Sequence, residues 1–187
     1  MSKAKIAVFA SGTGSNFQAI MDAENLPCEV KLLVCDQQNA AVIDKARALG
    51  VETFVFHAKD YQAKADYEQE IVEALRERGI GWIFLAGYMR MVGKTLLQAY
   101  EGKIINIHPS YLPAFPGRDA IGQAFEAGVE ATGVTVHFVD EGMDTGPIIE
   151  QEAVPVFIDD TLETLQKRVQ KLEHRLYPKV IKKLLQK

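Results

Sequence analysis

Apolar and polar positions along this chain switch between a spacing of two and a spacing near 3.6, and the switches predict its elements. KIAVFA (5–10) is a short β-rich apolar run that breaks into a Gly/Ser turn. From near Ser15 the spacing lengthens, with Phe17, Ile20 and Met21 on one helical face. VKLLVC (30–35) predicts a second strand, AAVIDKARALG (40–50) a helix stopped by Gly50, and ETFVF (52–56) a third strand. The segment from about 64 to 78 is amphipathic, with Tyr67, Ile71, Ala74 and Leu75 on one side. WIFLAG (82–87) reads as a fully buried strand, a short helix follows at about 93–100, and KIINI (103–107) predicts the next strand. Beyond a proline-punctuated loop come a helix over roughly 118–127 and a half-buried strand at 132–140. A turn at 141–146 leads into a further strand at 147–156. The chain closes with a helix from about Leu162, interrupted near Pro178.

Four strand–helix steps in the first half predict an α/β fold with a doubly wound, mostly parallel sheet flanked by helices. The closely spaced pair 132–140 and 147–156 adds a late antiparallel hairpin and makes the sheet mixed. No repeat, linker or low-complexity stretch divides the chain, and 187 residues suffice for one substantial core, so one domain over 1–187 is expected. Sheets of this kind hold ligands beyond the carboxyl ends of their strands. The loops to inspect are SGTGSN, AGYMRM, NIHPS and EGMDTG.

Composition narrows the classes of function. Hydrophobic residues are 48% and charged residues 25%, and the net charge of −4 exerts no global pull on nucleic acid or an anionic membrane. Any anion must be held locally. Cys28 and Cys35 form neither a disulfide framework nor a CxxC pair, which fits a reducing compartment. The apolar run in MSKAKIAVFA is too short for a secretion signal, and no stretch approaches the roughly twenty apolar residues of a membrane span. A cytoplasmic enzyme or binding protein is expected, with neither nucleic acid nor membrane as partner.

Gly12, Thr13, Gly14, Ser15 and Asn16 lie between a strand and a helix, where glycines permit close backbone approach and free N–H groups favour an anion. A tight turn with Ser15 as cap is the plain alternative. A dinucleotide fingerprint is another, since Asp36 ends the second strand about twenty residues after the loop, where an acidic residue meets a ribose diol. Phe17, however, occupies the third glycine position of that fingerprint, and Thr13, Ser15 and Asn16 suit a single terminal phosphate better.

Asn106 and His108 stand two apart on a strand and so face one side, and Pro109 ends normal pairing. An amide can hold a developing oxyanion while an imidazole moves a proton near neutral pH, a combination suited to chemistry at a carbonyl. A capping Asn with a merely hydrogen-bonded His fits the local pattern equally well. Asp144 sits in a glycine-rich turn; if it reaches His108, its charge favours the imidazolium. Metal chemistry is disfavoured because HExxH and paired cysteines are absent and His57, His108, His137 and His174 are scattered. No GxSxG elbow occurs, and His137, between Val136 and Phe138, reads as a sheet-face residue.

Taken together, SGTGSN, LAGYMRM, KIINIHPSYLPAFPG, GVTVHFVDEGMDTGPII and LEHRLYP resemble the phosphoribosylglycinamide formyltransferases, a folate-dependent family of purine biosynthesis. The resemblance spans essentially the whole chain. Its relatives with an extra C-terminal domain (methionyl-tRNA formyltransferases) or an extra N-terminal one (formyltetrahydrofolate deformylases) fit the length less well. The resemblance implies a metal-free one-carbon transferase with two small-molecule substrates, glycinamide ribonucleotide and 10-formyltetrahydrofolate, acting as monomer or homodimer in IMP biosynthesis. It implies that Asn106, His108 and Asp144 are catalytic, and that Gly12, Thr13, Gly14, Ser15, Asn16, Gln170 and Glu173 bind the phosphoribosyl substrate. Lys64, Met89, Arg90, Met91, Val92, Asn106, Asp140 and Asp144 are implied to bind the folate. The N-terminal part of the domain would then serve phosphate and substrate, and the C-terminal part folate and catalysis. Some relatives carry histidines where this chain reads RDAIG after PG, so the folate-tail contacts are less well marked. The competing reading is a nicotinamide-dependent oxidoreductase built on the GTG loop and Asp36; a non-catalytic nucleotide-binding module is a third.

Overall fold

The computed structural model describes residues 2–186. Elements run β1 (Ala4–Phe9), α1 (Ser15–Asp22), β2 (Cys28–Cys35), α2 (Ala41–Ala48), β3 (Glu52–Val55), α3 (Lys64–Glu77) and β4 (Trp82–Leu85). They continue with α4 (Lys94–Ala99), β5 (Ile104–His108), α5 (Ala120–Glu126), β6 (Ala131–Phe138), β7 (Ile148–Pro155) and α6 (Leu162–Leu185). The seven strands form one sheet in the order β3-β2-β1-β4-β5-β6-β7. Pairs from β3 through β5 are parallel, whereas β5–β6 and β6–β7 are antiparallel. The chain winds outward from β1 to β3 and then crosses to β4. The order therefore reverses between β1 and β4, where strand ends diverge and leave a crevice.

Side-chain alternation puts two cores on the two faces. Ile6, Val8, Leu33 and Phe84 pack with α1, α2 and α6 on one side, while Ala7, Phe9, Leu32 and Ile83 pack with α3 and α4 on the other. In β5 and β6, Ile105, Ile107, Val134 and Val136 join the α6 side. Their alternates, Asn106, His108, Thr135 and His137, face the opposite way, and of β5 only Ile104 belongs to the α3–α4 layer. That face of the β5–β6 pair is where a polar site can form.

The expected elements are all found, with shifted ends. The helix expected from about 118 starts at Ala120, because Asp119 has a left-handed backbone with φ of 52°. The run WIFLAG stops pairing at Leu85, and Gly87 turns the chain with φ of 78°. Gly50 ends α2 as expected, with φ of 71° just past its last turn. One expectation fails: α6 is not interrupted at Pro178 but runs through it. Proline removes one backbone hydrogen bond there. The fully buried Tyr177, Val180 and Ile181 on either side hold both halves against the sheet, and that packing outweighs the missing bond.

Tyr177 also ties α6 to the strand ends. Its ring is fully buried, and its hydroxyl reaches the carbonyl oxygens of Leu85 (2.7 Å), the last residue of β4, and Ile105 (3.2 Å), near the start of β5. Replacing Tyr177 by Phe keeps the ring and leaves those carbonyls short of a donor. A loss of about 1–3 kcal/mol is expected, read as a lower urea midpoint with unchanged slope; an unchanged midpoint would deny the hydroxyl that role.

Candidate active site

β5 delivers Asn106 and His108 to one face, and β6 returns antiparallel beside it. Asn106 lies opposite His137 and His108 opposite Thr135. Directly paired residues share a face, so four polar side chains meet at the end of the sheet. Thr135 secures the loop that follows His108: its hydroxyl donates to the Ser110 carbonyl (2.8 Å) and accepts the Leu112 N–H (3.1 Å). The Gln151 side chain donates to both Thr135 and the Leu112 carbonyl, each at 3.1 Å.

The turn between β6 and β7 brings Asp144 onto this group. Asp140 closes the turn by accepting the Gly142 N–H (2.9 Å) and the Thr145 hydroxyl (2.7 Å), and Asp144 itself adopts a left-handed backbone with φ of 57°. Its carboxylate accepts the Gly117 N–H at 2.8 Å and lies 3.5 Å from His108 Nδ1 and 3.7 Å from His137 Nε2. His108 is 5% exposed, and its Nε2 is 2.9 Å from the Phe115 carbonyl oxygen. Both of its ring nitrogens therefore face acceptors, and only the imidazolium donates to both at once.

His137 is the member that pattern reading passed over. Its Nδ1 faces the Phe138 carbonyl oxygen (2.8 Å), which leaves Nε2 to accept from Asn106 Nδ2 at 3.2 Å in the neutral tautomer. One amide N–H of Asn106 is thereby spent on His137, and the second remains for another acceptor. Alternation correctly gave His137 a sheet face. Which residue stood opposite it depended on the β5–β6 register. Burial alone would raise the Asp144 pKa, but the neighbouring His137, the Gly117 N–H and the nearby His108 outweigh it, and the carboxyl lies below its usual value.

At the crevice, α1 begins at Ser15 with no side-chain cap. Gly14 precedes it with φ of 78°, and a Cβ there would sit 2.5 Å from a Val42 methyl, so glycine is required. The first N–H groups of α1 stay free for an anion. Gly12 and Thr13 are exposed, and a Cβ on Gly12 would meet nothing within 4 Å. Asn16 is buried and donates to Glu173 of α6 at 2.6 Å, while its own carbonyl oxygen has no partner. Burial pushes the Glu173 pKa up, and the Asn16 bond opposes that. Gln170 lies exposed three residues earlier on α6. Two open clefts flank this loop. One of about 530 Å³ is lined by Ser15, Lys45 and His174, the other of about 590 Å³ by Ser11, Gln37, His57 and Met89.

The segment 89–92 runs beside the same crevice. Met89 and Met91 are exposed, Arg90 is half-buried, and Val92 buries its side chain in the α3–α4 layer. Lys64 donates to the Met91 carbonyl at 2.9 Å. Glu68, buried on α3, accepts the Gly93 N–H at 2.8 Å and so caps α4 from a neighbouring helix. The sequence pattern offered no sign of this, because α3 and α4 meet only in three dimensions. Asp36 is equally engaged. Its carboxylate accepts from Ser11 and from Arg90 Nε (2.9 Å), so it is occupied within the protein and not presented to a ribose diol. That removes the support for the dinucleotide reading.

Residues 4–181 match the formyl transferase family. The chain belongs to that family. It is 59% identical over 184 residues to the phosphoribosylglycinamide formyltransferase of Bacillus subtilis, covering 97% of this chain and 94% of the relative. The crystal structure of glycinamide ribonucleotide transformylase 1 from Geobacillus kaustophilus superposes with a TM-score of 0.96 at 59% identity, over 98% of this chain and 99% of that one. Phosphoribosylglycinamide formyltransferase from Bacillus halodurans gives 0.95 at 54% identity, over 98% and 96%. The mostly parallel sheet with late antiparallel strands expected from the sequence is thus that of these glycinamide ribonucleotide transformylase structures.

Asp144 makes a pH-dependent contribution to stability with a definite sign. A lowered native pKa means that the contribution is fully present above the ordinary carboxylate value of about 3.9 and is lost as pH falls through the lower native value. Wild type should therefore exceed Asp144→Asn in melting temperature at pH 5–7, with the gap closing below about pH 4. A gap that stays constant through acid would remove this electrostatic role.

Proposed function

We propose that this formyltransferase moves the formyl group of 10-formyltetrahydrofolate to the amine of N1-(5-phosphoribosyl)glycinamide, yielding formylglycinamide ribonucleotide and tetrahydrofolate. The observation that carries this reading is the convergence of Asn106, His108 and Asp144 at the carboxyl end of β5, in a chain this similar to named enzymes of that activity. A free helix start at Ser15 supports binding of the phosphoribosyl phosphate through Gly12–Asn16. Glu173, an acceptor held by Asn16, suits sugar hydroxyls, and Gln170 lies next to it on α6.

On this reading Met89, Arg90, Met91 and Val92 line the folate pocket, with Lys64 near the folate tail. The turn Asp140–Asp144 meets its pterin. The substrate amine attacks the formyl carbon, and the carbonyl oxygen becomes an oxyanion. The free N–H of Asn106 and an N–H of protonated His108 stabilise that charge, the latter exchanging its bond to the Phe115 carbonyl for one to the substrate. Asp144 holds the imidazolium in orientation. The attacking nitrogen loses a proton, the folate nitrogen gains one through His108 or an ordered water, and the bond from carbon to the folate nitrogen breaks. Neither a covalent enzyme intermediate nor a metal takes part, and holding both substrates in one crevice supplies the orientation. Catalysis in the cytoplasm by a single domain fits this reading; no helix among the described residues is long and apolar enough to cross a membrane.

Incubation with both substrates should release tetrahydrofolate and formylated product in equal amounts. His108→Ala should lower kcat by about 10²- to 10⁴-fold while the KM for the phosphoribosyl substrate changes little. Absence of product from wild type would overturn the substrate assignment, and a retained kcat in His108→Ala would overturn the role of the imidazole.

A further inference from the structure

By spacing Asp36 stands where the competing dinucleotide reading puts a ribose ligand, yet its carboxylate is turned inward and is only 1% exposed. It stands at the carboxyl end of β2, and its bonds to Ser11 and Arg90 join two segments that the proposed function separates. One oxygen accepts the Ser11 hydroxyl, and the other accepts Arg90 Nε at 2.9 Å and Gln37 Nε2 at 3.3 Å. The Ser11 oxygen also accepts the Met89 N–H at 2.9 Å, and the Ser11 N–H donates to the Gly87 carbonyl at 3.0 Å. Ser11 is the residue immediately before the phosphate loop, while Met89 and Arg90 open the segment assigned to the folate. One buried carboxylate is therefore shared between both binding elements, at the point where the strand order reverses.

The chemistry makes this more than a packing contact. A buried carboxylate strongly demands donors, and its bond to Arg90 is charge-assisted and directional. Arg90 also lies 6.0 Å from the Tyr67 ring of α3, so its guanidinium is held on two sides. The 89–93 segment has further anchors in Lys64 and Glu68, but both of those tie it to α3. Among the described residues, the Asp36–Ser11–Arg90 network is what ties it to the phosphate loop.

We propose that Asp36 is a positioning residue that sets the phosphate loop and the folate segment relative to each other, through Ser11 on one side and Arg90 on the other. The proposal rests on the assignment of substrates given above. Asp36 touches neither substrate, so its effect is on how well both bind. Loss of its charge should loosen both sites together and leave the reacting groups on β5 and β6 unchanged.

Asp36→Asn is nearly isosteric; its amide keeps an oxygen for Ser11 but opposes Arg90 Nε–H with another donor. It should raise the KM for both substrates by roughly tenfold, as loss of a charge-assisted hydrogen bond implies, with kcat at saturation within about threefold of wild type. Arg90→Gln should raise the folate KM, and the double variant should raise it no further than Asp36→Asn alone, because both remove one bond. Ser11→Ala removes only a hydroxyl and serves if Asp36→Asn fails to fold; it too should raise both KM values. A merely structural Asp36 would instead lower the folded, active fraction and apparent kcat at unchanged KM, and that result would overturn the proposal. So would a rise in one KM alone, or additive effects of Asp36→Asn and Arg90→Gln. Wild-type turnover is measured first. Its absence would count against the substrate assignment, whereas normal wild-type turnover with unaltered variant KM values would count against the positioning role alone.

Discussion

The antiparallel pairing of β6 against β5 is the constraint on which the candidate active site of this molecule depends. Up to β5 the sheet is parallel, and each strand has a helix returning over one face or the other. Reversal at β6 removes the need for a crossover helix on the α3–α4 side, so that face of the last strands stays clear for polar groups. The same pairing places His137 opposite Asn106 and Thr135 opposite His108. A slip of one residue would exchange these side chains for Ile107 and Val136 and bury the site in the α6 core. Register thus protects chemistry and packing together.

Buried and half-buried carboxylates surround that site, each with different partners. Asp144 accepts a backbone N–H and lies beside two imidazoles, surroundings that lower its pKa. Asp36 is held by a hydroxyl and a guanidinium at the crevice. Glu68 has only backbone N–H groups and a lysine nearby, and burial raises its pKa. Glu173 rests on a single amide and is likewise raised. A guanidinium or imidazoles stand beside the carboxylates nearest the crevice and the candidate reacting groups. Weaker partnership marks a helix cap and a residue whose second oxygen is free for a ligand.

Much of this was legible in the linear pattern because it is local. Alternation placed Asn106 and His108 on one face, glycines at 12 and 14 announced a tight strand-to-helix turn, and apolar runs located every strand. What escaped was non-local. Pro178 was expected to interrupt the last helix, but the core contacts of Tyr177, Val180 and Ile181 override its local effect. His137 looked like an ordinary strand residue until its cross-strand partner was known. Asp36 occupied the position of a ribose ligand by spacing, yet spacing could not reveal that Ser11 and Arg90 already filled its carboxylate. Glu68 carried no signal, since its partners belong to another helix.

By itself the sequence determined the succession of elements, the parity of side chains along each strand and the chemical inventory of the loops. These follow from periodicity, turn chemistry and residue type, which act over a few neighbouring positions. Tertiary structure decided which of those groups meet. The distance from Asp144 to His108, the tautomer imposed on His137 and the inward commitment of Asp36 all depend on strand register and on loops folding over a sheet edge. Segments far apart in the chain become neighbours there only after the two cores have formed, because burial of those cores fixes the strand order that brings them together.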